Sequence, residues 1–388
     1  MTLLCWRRPV ILSCLTVAGL GCPSDDGAAG DSSGGAGSST ASASDGGDAA
    51  TPPTSGVAEE GSEGSTSSPD PDTGGTSTFD DSGSDDSSSG ALAGETVFVA
   101  VGNWGHRGMT ADGVTWVDIM NEPPPDGGDH TPDLLRGVGY GDGMFVAVGG
   151  DANGMIMTTT DGVTWEEDLY PEGTGWLGDV AYLDGIWVAV GGNGIVVRST
   201  DGGVQWAENE ERLSSAGRTI IAAQGMFLAG ADNGVLAVST DGLTWTETTD
   251  PNGIGFGIAY GADTFVGFAS QWNGGGFDTA CTTSSDGAAW SPCPVTSASF
   301  GQPAAGQGAV VVQVDGGYAV TTDGAAWRTT EDNFPSRLVY GAGAADGDGL
   351  WVGLSYQRRW VASSYAGPWE SVENEAGFRD LTAGVIAR

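Results

Sequence analysis

Arginine is the scarce cation of this 388-residue chain, which holds 13 arginines, no lysine and 51 carboxylates for a net charge of −38. Against that background, four arginines fall at one phase of a recurring pattern. Aligning LRGVGYG (135–141), GRTIIAA (217–223), SRLVYG (336–341) and FRDLTAG (378–384) with one another puts Arg136, Arg218, Arg337 and Arg379 at the same place near the segment start. Arg337 reaches it only with a small insertion before DGDG at 346–349, and Gly178, Phe256 and Gly301 stand there in the other copies. A guanidinium is planar, permanently charged and forked, so a group of them can grip a carboxylate, sulfate or phosphate in bidentate fashion. The same recurrence suits arginines that bond carbonyls or an acid of a neighbouring repeat, and the sequence leaves both readings open.

Other residues with chemistry in reach are fewer. Trp104, His106 and Arg107 lie in GNWGHRG, Trp272 in SQWNGG, and Arg358 with Arg359 in YQRRW. A tryptophan on a turn can stack on a sugar or anchor a partner, although single surface aromatics are also common without function. His106 and His130, with Asp126 and Asp129, offer donors for a metal, but their spacing matches no metal signature. No metal and no cofactor are therefore expected, and no residue is identified as catalytic. Cys281 and Cys293 bracket CTTSSDGAAWSPC. Two cysteines either side of a hairpin turn in an exported chain read as a cross-strand disulfide, with no further Cys or His nearby to complete a zinc site.

The element that positions these residues is an internal repeat. Its copies are MTADGVTW (109–116), TTTDGVTW (158–165), RSTDGGVQW (198–206), VSTDGLTW (238–245), TSSDGAAW (283–290) and VTTDGAAW (320–327), with a worn seventh, ASSYAGPW (362–369). Their mean spacing of roughly 42 residues is that of a four-stranded propeller blade. Each unit reads as strand A (LRGVGYG), a DG turn, strand B (MFVAVG), a second turn, strand C (MIMTTT), the DGVTW turn and strand D. The DG and NG pairs suit hairpin turns because they tolerate positive φ. The first unit starts directly at ETVFVAVG, without a strand A, and FRDLTAG near the C-terminus is a strand A with no unit of its own. Pairing the two closes a ring and removes an open sheet edge. The predicted fold is thus all-β, a seven-bladed propeller over 95–388. Turns alternate between faces, which puts the arginine-bearing strand starts, the second turns and the variable connections such as 117–133 on one face. The first strand of a blade is innermost, so that face would carry the arginines round one mouth of the central channel.

The motif S/T-x-D-G-x-T-W resembles the Asp-box, or BNR, repeat of sialidase-like propellers. The longer pattern LRGV…AVGG…S-T-D-G-x-x-W is similar to the seven-bladed propellers of the photosystem II assembly and stability factor family. The Asp-box resemblance implies that Asp112, Asp161, Asp201, Asp241, Asp286 and Asp323 are structural, holding turn N–H groups while the boxed tryptophans pack between strands. The assembly-factor resemblance implies a partner protein contacted through an arginine-rich patch. A sialidase would need an arginine triad, a Tyr–Glu nucleophile pair and an acid. The Arg-Ile-Pro segment usual in that family is absent, and no tyrosine can be placed beside the arginines. A two-carboxylate glycosidase depends on spatial pairing, which a sequence does not give.

The ends and the charge bound the setting. MTLLCWRRPVILSCLTVAGLGC has two arginines, a short apolar run and a cysteine, the form of an export signal over 1–21. GLGC resembles a bacterial lipobox, with Cys22 the lipidated residue, although Gly19 stands where leucine is usual. Residues 22–94 are Ser, Gly, Asp, Ala, Thr and Pro, too poor in apolar groups to bury a core, and read as a flexible tether. About 70 such residues span ~45–50 Å. Between 23 and 95 there are 15 acids and no base. Such acidity disfavours nucleic acid and anionic lipid as partners. The expectation is a monomer tethered at the outer membrane, meeting the membrane only through its lipid and binding an unknown protein or an anionic glycan.

Overall fold

The computed structural model describes residues 94–387 apart from 120–133, 170–174, 250–256, 273–276, 345–347, 356–357 and 374–376. The expected signal and tether, with Cys22, lie outside the described residues. So do Asp126, Asp129 and His130.

The second strand of each unit sets the architecture. Met144–Gly150 and Ile186–Gly191 are buried along almost their whole length, on both faces. A strand covered on both faces reads as a continuous apolar run, as MFVAVG and IWVAVG do. Each such strand is therefore sandwiched between neighbouring blades. Val146, Val148 and Ile156 of blade 2 pack with Val180, Trp187 and Ala189 of blade 3 in one buried cluster. Every two-residue turn joining the first strand to the second in blades 2, 3, 4 and 6 has positive φ at both residues, among them Asp142 (51°) with Gly143 (75°) and Gln307 (49°) with Gly308 (72°). This is the hairpin turn whose twist matches its strands.

The strands form seven four-stranded antiparallel sheets. Blade 1 is composite: Phe378–Ile386 is its inner strand and pairs with Glu95–Gly102 from Glu95↔Ile386 to Gly102↔Phe378. The C-terminal strand thus completes the N-terminal blade and closes the ring. The inner strands of blades 2 to 7 are Leu135–Gly141, Leu177–Leu183, Gly217–Ala223, Gly257–Gly261, Ala304–Gly306 and Arg337–Gly341.

The recurring TDG turn locks each blade to the one before it. In the second copy, Asp161 Oδ1 accepts the N–H groups of Val163 at 2.8 Å and Thr164 at 2.7 Å, and the Thr159 hydroxyl at 2.9 Å. The Thr159 hydroxyl in turn accepts the N–H of Gly162 at 3.0 Å. Asp112, Asp241, Asp286 and Asp323 repeat this arrangement, and Asp201 does so across a box one residue longer. The tryptophan indoles of Trp116, Trp206 and Trp290 donate back to the box glycine carbonyl. The glycine itself has positive φ and sits flush on the preceding blade. A Cβ on Gly242 would stand 2.4 Å from Val188 Cγ2. Glycine is needed there for two reasons at once, backbone angle and closeness of approach. Cys281 and Cys293 are joined by a disulfide across the third and fourth strands of blade 5.

Two outcomes follow. Gly242→Ala should cost about 2–3 kcal/mol, whereas Gly225→Ala, with φ of 72° and nothing within 4 Å of a new Cβ, should cost only the ~1 kcal/mol of left-handed strain; chemical denaturation of the two variants separates them. The box hydrogen bonds hold Asp161 down to about 2 despite some burial, from 3.8. A lowered pKa means its contribution is complete above pH 3.8 and lost as pH falls towards 2. Acid titration of melting temperature should show that loss, shallower in Asp161→Asn.

Candidate functional site

The inner strands face the axis with one edge unpaired, and a local irregularity turns arginine into that space. In blade 2, Leu135 pairs with Gly149 and Gly137 with Val148, leaving Arg136 unmatched. The same bulge leaves Arg218 unmatched in blade 4, between Gly217↔Ala231 and Thr219↔Gly230. In blade 1 it leaves Arg379, between Phe378↔Gly102 and Asp380↔Val101, and in blade 3 Gly178. A bulge bends the strand and re-aims the extra side chain. Here it points it to the channel mouth. Arg136, Arg218, Arg337 and Arg379 all line one cavity of ≈ 480 Å³ with Trp176, Phe378, Leu354 and Gln302.

The four are held differently. Arg218 makes a two-pronged ion pair with Asp232, both bonds 2.7 Å, which raises its pKa. Arg379 donates from Nε to the Asn103 side-chain carbonyl at 2.6 Å. Arg136 donates from Nε to the Gly150 carbonyl at 3.4 Å, a long bond that leaves its fork turned to the cavity. Trp176 stands between two of them, its ring 5.1 Å from the Arg136 guanidinium and 4.7 Å from that of Arg218. Burial, then the charges of Arg379 and Arg218, hold Arg136 below the ordinary arginine range, with Asp151 opposing. Like charges brought together in this way favour an anion placed among them.

Arg337 corrects the sequence alignment. It pairs directly with Leu354, one step further along its strand than the bulged arginines, at the position that Asp380 (↔Val101) and Asp179 (↔Val190) occupy in blades 1 and 3. The inserted residues before Leu350 hid the offset. Its guanidinium is tied to Asp380 at 2.9 Å. Arg107 is a second correction: it is buried between blades, donating to Met157 Sδ at 3.8 Å, and presents no face to a partner. Arg359 is likewise buried, its Nη2 donating to both Asp118 carboxylate oxygens and its guanidinium over the Trp116 and Phe378 rings. His106 is buried against Phe378, ring centroids 4.2 Å apart, with Asp118 at 3.8 Å. Trp104 is half-exposed on its turn with φ of 55°. Trp272 ends the second strand of blade 5 opposite Phe277. Among the described residues no cluster of three metal-ligating side chains occurs.

Below the arginines lies a tier the sequence reading missed. Asp179 accepts the N–H of Val180 at 2.8 Å and of Ile220 at 2.9 Å, and the Thr219 hydroxyl at 3.2 Å. Asp380 accepts the N–H of Val138 at 3.0 Å and Arg337 at 2.9 Å. Each carboxylate therefore reaches from its own blade to cap an inner-edge N–H of the next. Both line a second cavity of ≈ 340 Å³, continuous in its lining with the mouth through Arg136, Arg218 and Arg337. Burial, reinforced by the charge of Asp380, pushes Asp179 up to about 7 against its hydrogen bonds. Burial raises Asp380 as well, opposed by Arg337.

No family model matches this sequence, and no curated protein matches it. Among solved structures the chain is similar to YCF48 from Cyanidioschyzon merolae, at 15% identity over 61% of this chain and 84% of that one, TM-score 0.43. It is similar to YCF48 bound to D1 peptide, at 16% identity over 61% and 80%, TM-score 0.43. The WD40 β-propeller domain of Doa1 is similar at 12% identity over 63% and 85%, TM-score 0.47. At such identities the likeness is one of fold alone.

The raised Asp179 has a measurable consequence. A carboxylate that binds its proton more tightly in the folded chain loses stabilising effect as pH rises from its unfolded value, 3.8, to its folded one, about 7. Asp179→Asn should therefore gain stability relative to the parent across that window, with the gap constant above it; urea unfolding at stepped pH reads the difference.

Proposed function

We propose that this chain is an exported propeller, tethered to the outer membrane through lipid on Cys22 and the 22–94 segment, that docks a partner protein by an anionic group at its arginine-lined mouth. The observation that carries this reading is the convergence of Arg136, Arg218 and Arg379 in one open cavity, the first two against the Trp176 ring. A protein otherwise so acidic repels anions over most of its surface, so a local positive mouth gives both attraction and placement. The cavity mixes guanidinium forks with an aromatic and apolar lining, Trp176, Phe378 and Leu354. That combination suits an acidic side chain or chain terminus carried on an apolar segment, with the rings as anchors. Trp104, half-exposed on the second turn of blade 1, extends the contact face of a monomeric binding module.

The alternative is a carbohydrate-binding or glycoside-hydrolase propeller. It draws support from Asp179 and Asp380, which share the cavity beneath the arginines. Their oxygens are already engaged by Ile220, Val138, Val180, Thr219 and Arg337, which supports a structural role for the pair.

The test compares the full chain with its Arg136→Ala/Arg379→Ala variant in chemical cross-linking to an outer-membrane fraction. Anionic glycans and sialosides are screened alongside for binding and turnover. A cross-linked protein lost in the variant and weakened about tenfold or more by raising salt is the expected result. Sugar release abolished in the variant would make the glycosidase reading correct. Equal capture by both proteins would contradict a docking role for the arginines.

A further inference from the structure

Two of the three bulge arginines are gripped by the side chain that follows their partner strand, and Arg136 is not. In blade 4 the pair before the bulge is Gly217↔Ala231, and the residue after Ala231, Asp232, takes Arg218 on both carboxylate oxygens. In blade 1 the pair is Phe378↔Gly102, and the residue after Gly102, Asn103, takes Arg379 through its side-chain carbonyl. In blade 2 the pair is Leu135↔Gly149, so the equivalent place falls on Gly150. That residue has φ of 87°, and a Cβ on it would stand 1.9 Å from the Asn153 carbonyl oxygen, so no side chain fits there. Arg136 is left with the Gly150 carbonyl, 3.4 Å from its Nε. Asp151, one residue further round the turn, attracts it but makes no ion pair with it.

Blade 3 supplies what holds Arg136 instead. Its bulge residue is Gly178, where blades 1, 2 and 4 carry arginine. A Cβ on Gly178 would stand 3.0 Å from Trp176 Cζ3 and 2.8 Å from the Gly217 carbonyl oxygen. The indole thus occupies ground that a fourth arginine would need. It is fixed in place: the Trp176 carbonyl accepts the Gly192 N–H at 2.8 Å, and a Cβ on Gly192 would meet Trp176 Nε1 at 3.0 Å. The Arg136 guanidinium lies over this ring at 5.1 Å and that of Arg218 at 4.7 Å. For Arg218, already gripped by Asp232, the ring is an added contact. For Arg136 it is joined, among the described hydrogen bonds and ring contacts, only by the long bond to Gly150. A guanidinium held over an aromatic ring keeps its in-plane N–H groups for an acceptor.

We propose that Arg136 is the mouth arginine that takes the partner's anion, that this anion is a carboxylate seated on it as Asp232 is seated on Arg218, and that Trp176 is the residue that positions it. The inference rests on the docking reading and assigns the roles within it. Arg218 and Arg379 are engaged within their own blades and add charge at longer range. The group that fills the equivalent place is a carboxylate in blade 4 and a side-chain amide in blade 1, both planar, so the repeat shapes the place left open in blade 2 for a planar group of carboxyl size.

The experiment is titration calorimetry on the full chain at low salt, with N-acetyl-phenylalanine, its amide and phenyl phosphate as probes. N-acetyl-phenylalanine is expected to bind, and the other two to bind more weakly by about tenfold or more, the loss of a charge-assisted fork. Arg136→Lys should weaken the carboxylate by about tenfold or more, whereas Arg218→Lys and Arg379→Lys should weaken it by only about threefold, the loss of a more distant contribution. Trp176→Leu should cost about tenfold and Trp176→Phe should recover most of that, because a ring is what the guanidinium needs beneath it. Circular dichroism checks each fold; should Trp176→Leu not fold, the arginine series and the three probes decide. No binding of N-acetyl-phenylalanine, phenyl phosphate bound as tightly, an equal loss in Arg218→Lys or Arg379→Lys, or parental affinity in Trp176→Leu would each overturn the proposal. Partner capture that survives Arg136→Lys undiminished but fails in Arg136→Ala/Arg379→Ala would keep the docking reading and discard this one.

Discussion

The inner strand of a propeller blade has no strand beside it on the axis side, and that unpaired edge governs the centre of this molecule. Seven such edges meet round a space too wide for direct pairing, so their N–H groups need partners from side chains or water. Asp380 and Asp179 supply two of these, each reaching into the next blade. The same edge admits a bulge in blades 1 to 4, because an extra residue there disturbs only one ladder. Arginine on that bulge turns to the mouth, and the aspartates lie one step below. The positive rim and the carboxylate tier are two answers to one geometric fact.

Further out, the blades are held by closeness rather than by polar contacts. Second strands buried on both faces form the shared cores, and the TDG turns bring a glycine flush against the preceding blade. The box aspartate lets that turn be tight without orphaning its N–H groups. With the outer body so fixed, the mouth can hold three guanidinium groups in mutual repulsion, a strain on the site that a looser scaffold would relax by moving them apart.

The fold was legible because its signals are local and repeated. DG turns, continuous apolar second strands and a split blade at the two termini each carry their meaning in a few residues, and the closed seven-bladed ring follows from their order. Arg136, Arg218 and Arg379 were also legible as one phase of the repeat, and they do share a cavity. Arg337 was displaced by one residue because alignment on a turn fails where the turn holds an insertion. Arg107 looked like a surface residue because its neighbours are turn residues, whereas the strand it opens runs straight between two blades. The aspartate tier was visible as GD at 178–179 and RD at 379–380, one column beside the arginines. Its significance needed the inter-blade contact, which no single repeat encodes. Trp176 sits in a connection rather than in the repeat and had no periodic signal at all.

The central claim is that the mouth is an anion site, and crystallography with an anomalous anion tests it directly. Crystals of the full chain soaked in bromide should show an anomalous peak within hydrogen-bond reach of the Arg136 guanidinium fork, beside Trp176. A mouth without such a peak, in which a carboxylate of the chain itself is paired to Arg136, would contradict the account and make the arginine tier a purely structural feature of the ring.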